Sequence, residues 1–141
     1  MGLYLCIFAS TLDDEEVDGV EVGGYDDFHL LRTTIAERLE GERWGSRFPV
    51  LMSHPDSDGE WSPEEAVALG EELAMIESEL AALPPADHSE GSWQREVARQ
   101  LGLKPSSLAE SFIDVDGELL VARLRELARL AVERERPISF Q

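Results

Sequence analysis

The apolar periodicity of residues 62–82 constrains the fold more than any other feature of this sequence. Apolar residues recur there at alternating spacings of three and four, which is typical of one face of an α-helix. These residues are Ala66, Leu69, Leu73, Ile76 and Leu80. Residues 62–65 form a Ser-Pro-Glu-Glu capping box, and the prolines at 84 and 85 end the segment. The sequence therefore predicts a long helix whose apolar face needs a surface to cover it.

Shorter segments on both sides predict that surface and further helices. Predicted strands are 3–9, 17–22, 47–53 and a last one that carries Ile138 and Phe140. Predicted helices are 26–40, 62–82, 118–135 and short pieces that open at Ser92 and Pro105. Pro49 indicates that the third strand lies at a sheet edge or that Pro49 is near the strand's start. These segments predict one α+β domain over residues 1–141, with a small mixed sheet of about four strands and two long and two or three short helices packed on it.

The single cysteine and the apolar runs indicate the compartment. Cys6 lies inside the predicted strand 3–9, where we expect a small core residue and not a reactive thiol. A lone cysteine excludes an internal disulfide framework. No apolar run approaches the roughly 18 residues that span a bilayer, and the first residues lack the basic start of a secretory signal. These features predict a cytoplasmic protein.

Acidic residues are concentrated in the first two thirds of the chain. The whole sequence has 30 acidic and 12 basic residues, a net charge of −18. Residues 1–90 hold 22 acids and four bases (−18), whereas residues 91–141 hold eight of each (zero). Two clusters, 13–21 and 56–65, are denser still, and such clustering is harder to explain by solubility alone. The charge argues against nucleic acid or an anionic membrane as a partner, because both need Lys and Arg patches. It favours a basic protein.

Residues 54–65 partly match a calcium-binding loop. Asp56 and Asp58 take positions 3 and 5, Gly59 takes position 6 and Glu65 takes position 12. Position 1 is His54, a poor ligand for calcium, and the preceding segment predicts a strand where an EF-hand has a helix. The alternatives are a calcium-binding regulatory module and an Asp/Gly turn before a capped helix, and we favour the turn. The second Asp-x-Asp-Gly, at 114–117, has arginine at position 12 and is interpreted as a turn.

No pattern in the sequence predicts catalysis or a cofactor. The three histidines lack the spacing of a zinc site, and no nucleophile motif or Gly-rich phosphate loop occurs. Acidic residues are so frequent that any proposed acid–base pair is a chance choice. We therefore expect a protein that is not an enzyme and needs no metal or other cofactor.

Five blocks of the sequence carry a family resemblance. They are GLYLCIF at the start, VDGVEVGGYDDFHLLR, RFPVLMSHPDSDGEWSPEEAVALGEEL, SFIDVDGELLVARLRELARLA and the closing PISFQ. Together they span nearly the whole chain, which resembles the bacterial polymorphic-toxin immunity proteins catalogued as immunity protein family seventy. The resemblance implies a small α+β protein encoded beside a secreted or contact-delivered toxin. It further implies that the protein binds and blocks that toxin in the producing cell, without catalytic residues or a cofactor.

The acidic clusters supply the predicted partner-binding residues. Carboxylates can occupy the groove of a basic toxin such as a nuclease in place of phosphates. Trp61, beside the second cluster, has two interpretations: an interface hot spot or, as we prefer, a residue packed at the start of the following helix. The predicted site comprises Asp13, Asp14, Glu15, Glu16, Asp18, Asp56, Asp58, Glu60 and Trp61. The predicted partner is the cognate toxin, and the sequence does not specify an oligomeric state.

Overall fold

Strands lie at the two ends of the chain and helices between them. A computed structural model describes residues 2–10 and 12–141, with the side chains of all of these except Asp13 and Asp14. The strands are β1 (Gly2–Ser10), β2 (Asp13–Gly24), β3 (Glu60–Trp61) and β4 (Ile138–Phe140). The helices are α1 (Tyr25–Leu39), α2 (Pro49–Ser53), α3 (Pro63–Ala81), α4 (Trp93–Leu101) and α5 (Leu120–Arg134), with a 3₁₀ turn at Ala109–Ser111.

The four strands form one sheet in the order β2-β1-β4-β3. All neighbours are antiparallel, so the sheet contains no parallel pair among the described residues, whereas a mixed sheet was expected. Cys6 of β1 pairs with Gly19 of β2 on one side and with Ser139 of β4 on the other, and Glu60 of β3 pairs with Ser139. One row of residues therefore crosses the sheet from edge to edge. The predicted α+β class, with a small sheet and packed helices, is confirmed.

The helices cover one face of the sheet and form the core with it. Leu3, Leu5 and Ile7 of β1 are fully buried, and α1, α3 and α5 supply the opposing apolar side chains. The predicted apolar face of residues 62–82 is confirmed, because all five of its periodic residues are at most 1% exposed. Ser62 accepts a hydrogen bond from the Glu65 N–H and Glu65 accepts one from the Ser62 N–H, as the capping box predicts. None of the helices in the described part of the chain is long and apolar enough to cross a membrane.

The predicted strand at 47–53 is wrong, because this segment contains helix α2. The Glu72 carboxylate of α3 accepts hydrogen bonds from the backbone N–H groups of Val50 and Leu51, which stabilises the start of α2. Arg32 of α1 donates to the carbonyl oxygens of Leu51, Met52 and His54 at the other end. Both partners come from distant segments, so the local pattern could not reveal them.

The third strand lies instead at Glu60–Trp61, in the segment interpreted as a turn. Pairing with β4, from the end of the chain, makes these two residues a strand, and their own sequence carries no strand signal. The short helix expected to open at Pro105 is reduced to the 3₁₀ turn Ala109–Ser111. The other predicted helices and strands are present. The strand expected at 17–22 is twice as long, since β2 covers Asp13–Gly24, and the remaining ends shift by at most two residues.

Candidate functional site

Among residues 2–10 and 12–141, no helix packs on one face of the sheet, which is called the open face. Side chains alternate along a strand, so Tyr4, Cys6 and Phe8 point away from the helices that cover Leu3, Leu5 and Ile7. Directly paired residues on neighbouring strands share a face. The open face therefore consists of Tyr4, Cys6, Phe8, Glu16, Gly19, Glu21, Ser139 and Glu60. Glu16, Glu21 and Glu60 are exposed on it, at both edges of the sheet.

The strands carry acidic side chains and no basic ones. All twelve Lys and Arg residues of the chain lie on helices, turns and loops. Six of the acidic residues lie on β2 and one on β3: Asp13, Asp14, Glu15, Glu16, Asp18, Glu21 and Glu60. A surface of one sign raises the local concentration of cations and basic proteins near it.

Tyr4 covers the centre of the open face. A Cβ atom added to Gly19 would overlap the Tyr4 ring, so the missing side chain at Gly19 makes room for the ring. Burial, and next a hydrogen bond to Glu16, raises the pKa of the Tyr4 hydroxyl above its ordinary value. The phenol therefore stays neutral and remains a hydrogen-bond donor across the physiological range.

Cys6 is a buried free thiol in the same part of the sheet. Burial, followed by the negative charge of Glu16, raises its pKa to about 11. A thiol with such a pKa is almost wholly protonated at neutral pH and is a poor nucleophile. The prediction of a buried structural cysteine agrees with this environment.

The residues of the first predicted cluster are divided between the two faces of the sheet. Glu16 lies on the open face, and Glu15 is exposed beside it. Asp18 turns towards the helices, where its carboxylate pairs with Arg123 of α5 at 3.1 Å. The side chains of Asp13 and Asp14 lie outside the described part of the chain. Asp18 therefore joins β2 to α5, a role that its local sequence did not indicate.

The second predicted cluster lies at the opposite edge of the sheet. Glu60 belongs to the open face through its pairing with Ser139. Asp56 and Asp58 lie in the loop before β3, the first half-buried and the second exposed. Three strand spacings, about 14 Å in all, separate the two edges. The open face thus connects two acidic segments that are about 40 residues apart in the sequence.

The hot-spot interpretation of Trp61 is wrong. Its side chain is 1% exposed, and the indole N–H donates to the Val50 carbonyl oxygen at 3.1 Å. The ring packs edge-on against Phe140, with 4.8 Å between the ring centroids. Trp61 is a core residue at the start of α3 and reaches no surface that a partner touches.

His54 and Glu65, the first and last residues of the 54–65 loop, make contacts within the fold. The His54 ring stacks on Phe140 at 4.1 Å, and its two nitrogens lie 2.7 and 3.0 Å from the carbonyl oxygens of Pro55 and Glu60. The Glu65 carboxylate, the expected bidentate ligand, instead caps α3. Among the side chains that the structure describes, no three His, Cys, Asp or Glu residues are grouped to hold a metal ion. The geometry gives the calcium alternative no support.

The 114–117 segment is a turn, as interpreted from the sequence. The buried Asp114 carboxylate accepts hydrogen bonds from the backbone N–H groups of Asp116 and Glu118, both at 2.9 Å. Burial raises the pKa of Asp114, and these two hydrogen bonds oppose the rise. The turn also donates the Val115 N–H to the Glu21 carbonyl oxygen, which covers part of the outer edge of β2.

The helical side has two concave regions of its own. A groove of about 840 Å³ runs between α3 and α5, with a floor of small residues that includes Gly70 and Ala128. A cleft of about 420 Å³ lies between α1 and the 86–94 connection. Asp27 lines this cleft, but its carboxylate already accepts hydrogen bonds from Gly24, Trp93 and Gln94. The cleft is also lined by His88, whose Nε2 lies 2.7 Å from the Ser111 carbonyl oxygen.

These features describe a small α+β protein with a four-stranded sheet whose strands carry acidic and no basic side chains. The chain matches the family model described as Immunity protein 70 over residues 3–140, and it belongs to this family. Family membership indicates an immunity protein of a toxin system. No curated protein and no solved structure matches the chain. The match to the family model confirms the family resemblance seen in the sequence.

Proposed function

We propose that this protein neutralises its cognate polymorphic toxin by binding it in the cytoplasm of the producing cell, without catalysis. Family membership supports the immunity role. The observation that carries the mode of binding is the charge of the sheet, whose strands hold seven acidic residues and no basic one. A basic toxin, such as a nuclease that grips phosphate with Lys and Arg, is the partner that this charge attracts.

Carboxylates on the sheet would act in two stages of binding. At long range their summed field speeds the encounter with a basic protein, an effect that salt screens over about 8–10 Å. In the complex they accept charge-assisted hydrogen bonds from guanidinium and ammonium groups, which are stronger than bonds between neutral partners. The bound carboxylates would block a nuclease by occupying the groove that phosphates would enter.

The test uses the toxin domain encoded next to this gene, purified with its activity removed by mutation. The quadruple variant D13N/D14N/E15Q/E16Q should associate about tenfold more slowly at low salt, and its rate should depend less on salt concentration. Stopped-flow association at several salt concentrations measures both effects. A matched control, E37Q/E71Q/D87N/E90Q, removes four charges from exposed positions outside the sheet and should associate nearly as fast as the wild type.

Two results would contradict the proposal. Absence of any binding between the wild-type chain and the neighbouring toxin domain would remove the immunity role for that pair. Equal association rates for the quadruple variant and the wild type would remove the acidic segment from the mechanism.

A further inference from the structure

We propose that the toxin docks on the open face of the sheet, and that its contacting segment is rich in arginine and lies across the strands. This inference rests on the proposed function and assigns it one side of the molecule. The helical side, including the groove between α3 and α5, then stays free in the complex.

The first argument is that the open face collects carboxylates from both sheet edges. Glu16 and Glu21 of β2 and Glu60 of β3 are exposed on it. No Lys or Arg occurs on any of the four strands, and Arg136, just before β4, donates its Nε–H to the Phe8 carbonyl oxygen at 3.0 Å. A planar guanidinium binds a carboxylate through two parallel hydrogen bonds, so arginine matches this face better than lysine does.

The second argument is the aromatic platform between those carboxylates. Tyr4 and Phe8 are half-buried on β1, the strand adjacent to β2. Guanidinium groups stack on aromatic faces as well as bonding to carboxylates. Aromatic residues are also enriched at protein interfaces, whereas Glu and Asp are depleted there. The open face therefore offers contacts beyond charge.

The third argument concerns size and shape. The nine residues of β1 extend over about 30 Å, whereas β4 and β3 are three and two residues long, so the sheet reaches its full width of about 14 Å only near the middle of β1. The open face therefore supplies part of one side of a standard protein interface, which is roughly 800 Å². The β1–β2 hairpin extends it, since β4 pairs with β1 only near its middle and leaves the turn at Leu12 projecting. Leu12 is 99% exposed there and adds an apolar contact at the end of the acidic strand.

The ion pairs on the helical side also favour the open face as the docking surface. Arg125 pairs with Glu77 at 2.9 Å, and Arg129 pairs with both Glu126 and Glu133. The two arginines of the α3–α5 groove therefore pair with three of its four glutamates. A basic partner gains less there, because it would have to displace arginines that already hold the carboxylates.

The experiment places the same substitution on opposite sides of the molecule. Ser139 lies at the centre of the open face, and Ser78 is exposed on α3. S139R adds a bulky cation where the proposal puts the toxin's own arginines, whereas S78R adds it on the helical side. Binding of the inactivated neighbouring toxin domain is measured by isothermal titration calorimetry, and folding by circular dichroism and Tm.

We expect S139R to weaken binding roughly 100-fold, since like charges brought together cost several kcal/mol, and S78R to bind like the wild type. Equal affinities of S139R and S78R would overturn the open-face assignment while leaving toxin binding intact. No binding by the wild type would instead remove the proposed function and this inference with it. If S139R does not fold, the triple variant E16Q/E21Q/E60Q replaces it. It should bind about tenfold more weakly than E37Q/E71Q/E90Q, and equal affinities would overturn the assignment.

Discussion

The open face and the helical side of this protein differ in how far their charged side chains pair with one another. On the helical side, arginines and glutamates pair with one another, as Arg129 does with Glu126 and Glu133. The charged side chains of the strands are all acidic. Among them, Asp18 faces the helices and forms an ion pair with Arg123. Pairing thus offsets part of the helical charge, although the residues outside the strands still carry 23 acidic against 12 basic side chains. The strands carry seven acidic side chains and no basic one, so their field has one sign.

This difference separates what folds the protein from what we propose binds the toxin. Like charges clustered on β2 repel one another, and this repulsion opposes the stability of the sheet, whereas Asp18 is paired with Arg123. Exposed ion pairs on the helices also contribute little, because water and salt screen them. Stability comes from the apolar core between the sheet and the helices, and from buried polar contacts such as those of Glu72. Open-face changes should therefore alter binding, and buried changes on the helical side should alter stability.

Removal of the Glu72 carboxylate is expected to have the largest effect on stability. E72A leaves the N–H groups of Val50 and Leu51 without their acceptor, and we expect a loss of about 3 kcal/mol in the free energy of unfolding. Urea denaturation measures the loss. E71A, at the exposed neighbouring position, is the control and should change stability by less than about 0.5 kcal/mol. A small effect of E72A, similar to that of E71A, would contradict the inference that buried contacts on the helical side determine stability.

A side chain at Gly19 should disturb the open face with a smaller loss of stability. The Cβ atom of G19A overlaps the Tyr4 ring, so the ring must move, at a cost of about 1–2 kcal/mol. The movement uncovers Cys6, and thiol labelling of the native protein should become faster. G2A is the control, since a Cβ at Gly2 meets its nearest atom at 3.4 Å. Unchanged Cys6 labelling in G19A would show that Tyr4 does not cover the thiol.

The ion pair between Asp18 and Arg123 should have the smallest measurable effect. Both side chains are 27% exposed, so we expect a coupling free energy of about 1 kcal/mol from a double-mutant cycle with D18N and R123Q. Toxin binding by D18N should stay close to that of the wild type, because this carboxylate faces the helices. A loss of affinity as large as that of the open-face variants would place Asp18 in the interface after all.

The sequence predicted the parts of this fold that local patterns determine. The helix of residues 62–82 follows from its apolar spacing and its capping box, and strands β1 and β2 follow from two short apolar runs. Helix α2 and strand β3 were missed, because distant residues create them: Glu72 and Arg32 hold α2, and Ser139 pairs with β3. Contacts of this kind leave no trace in the segment that they reshape.

The candidate site was predictable in its charge and not in its geometry. The two acidic segments were visible as clusters, but their arrangement at opposite edges of one sheet depends on β4 lying between β1 and β3. Tyr4, Phe8 and Ser139 were not expected in the site, although the alternation of residues 3–9 offered a signal for the first two. The inward turn of Asp18 and the burial of Trp61 depend on α5 and β4, which come much later in the chain.

Carboxyl footprinting tests the central claim most directly, because it reads the exposed glutamates themselves. Carbodiimide and glycinamide label accessible carboxylates, and mass spectrometry measures each site in the free protein and in the complex with the inactivated toxin domain. We predict that labelling of Glu16, Glu21 and Glu60 falls strongly in the complex, while labelling of Glu37 and Glu71 is unchanged. Protection of Glu37 and Glu71, with the three open-face glutamates still labelled, would contradict the account.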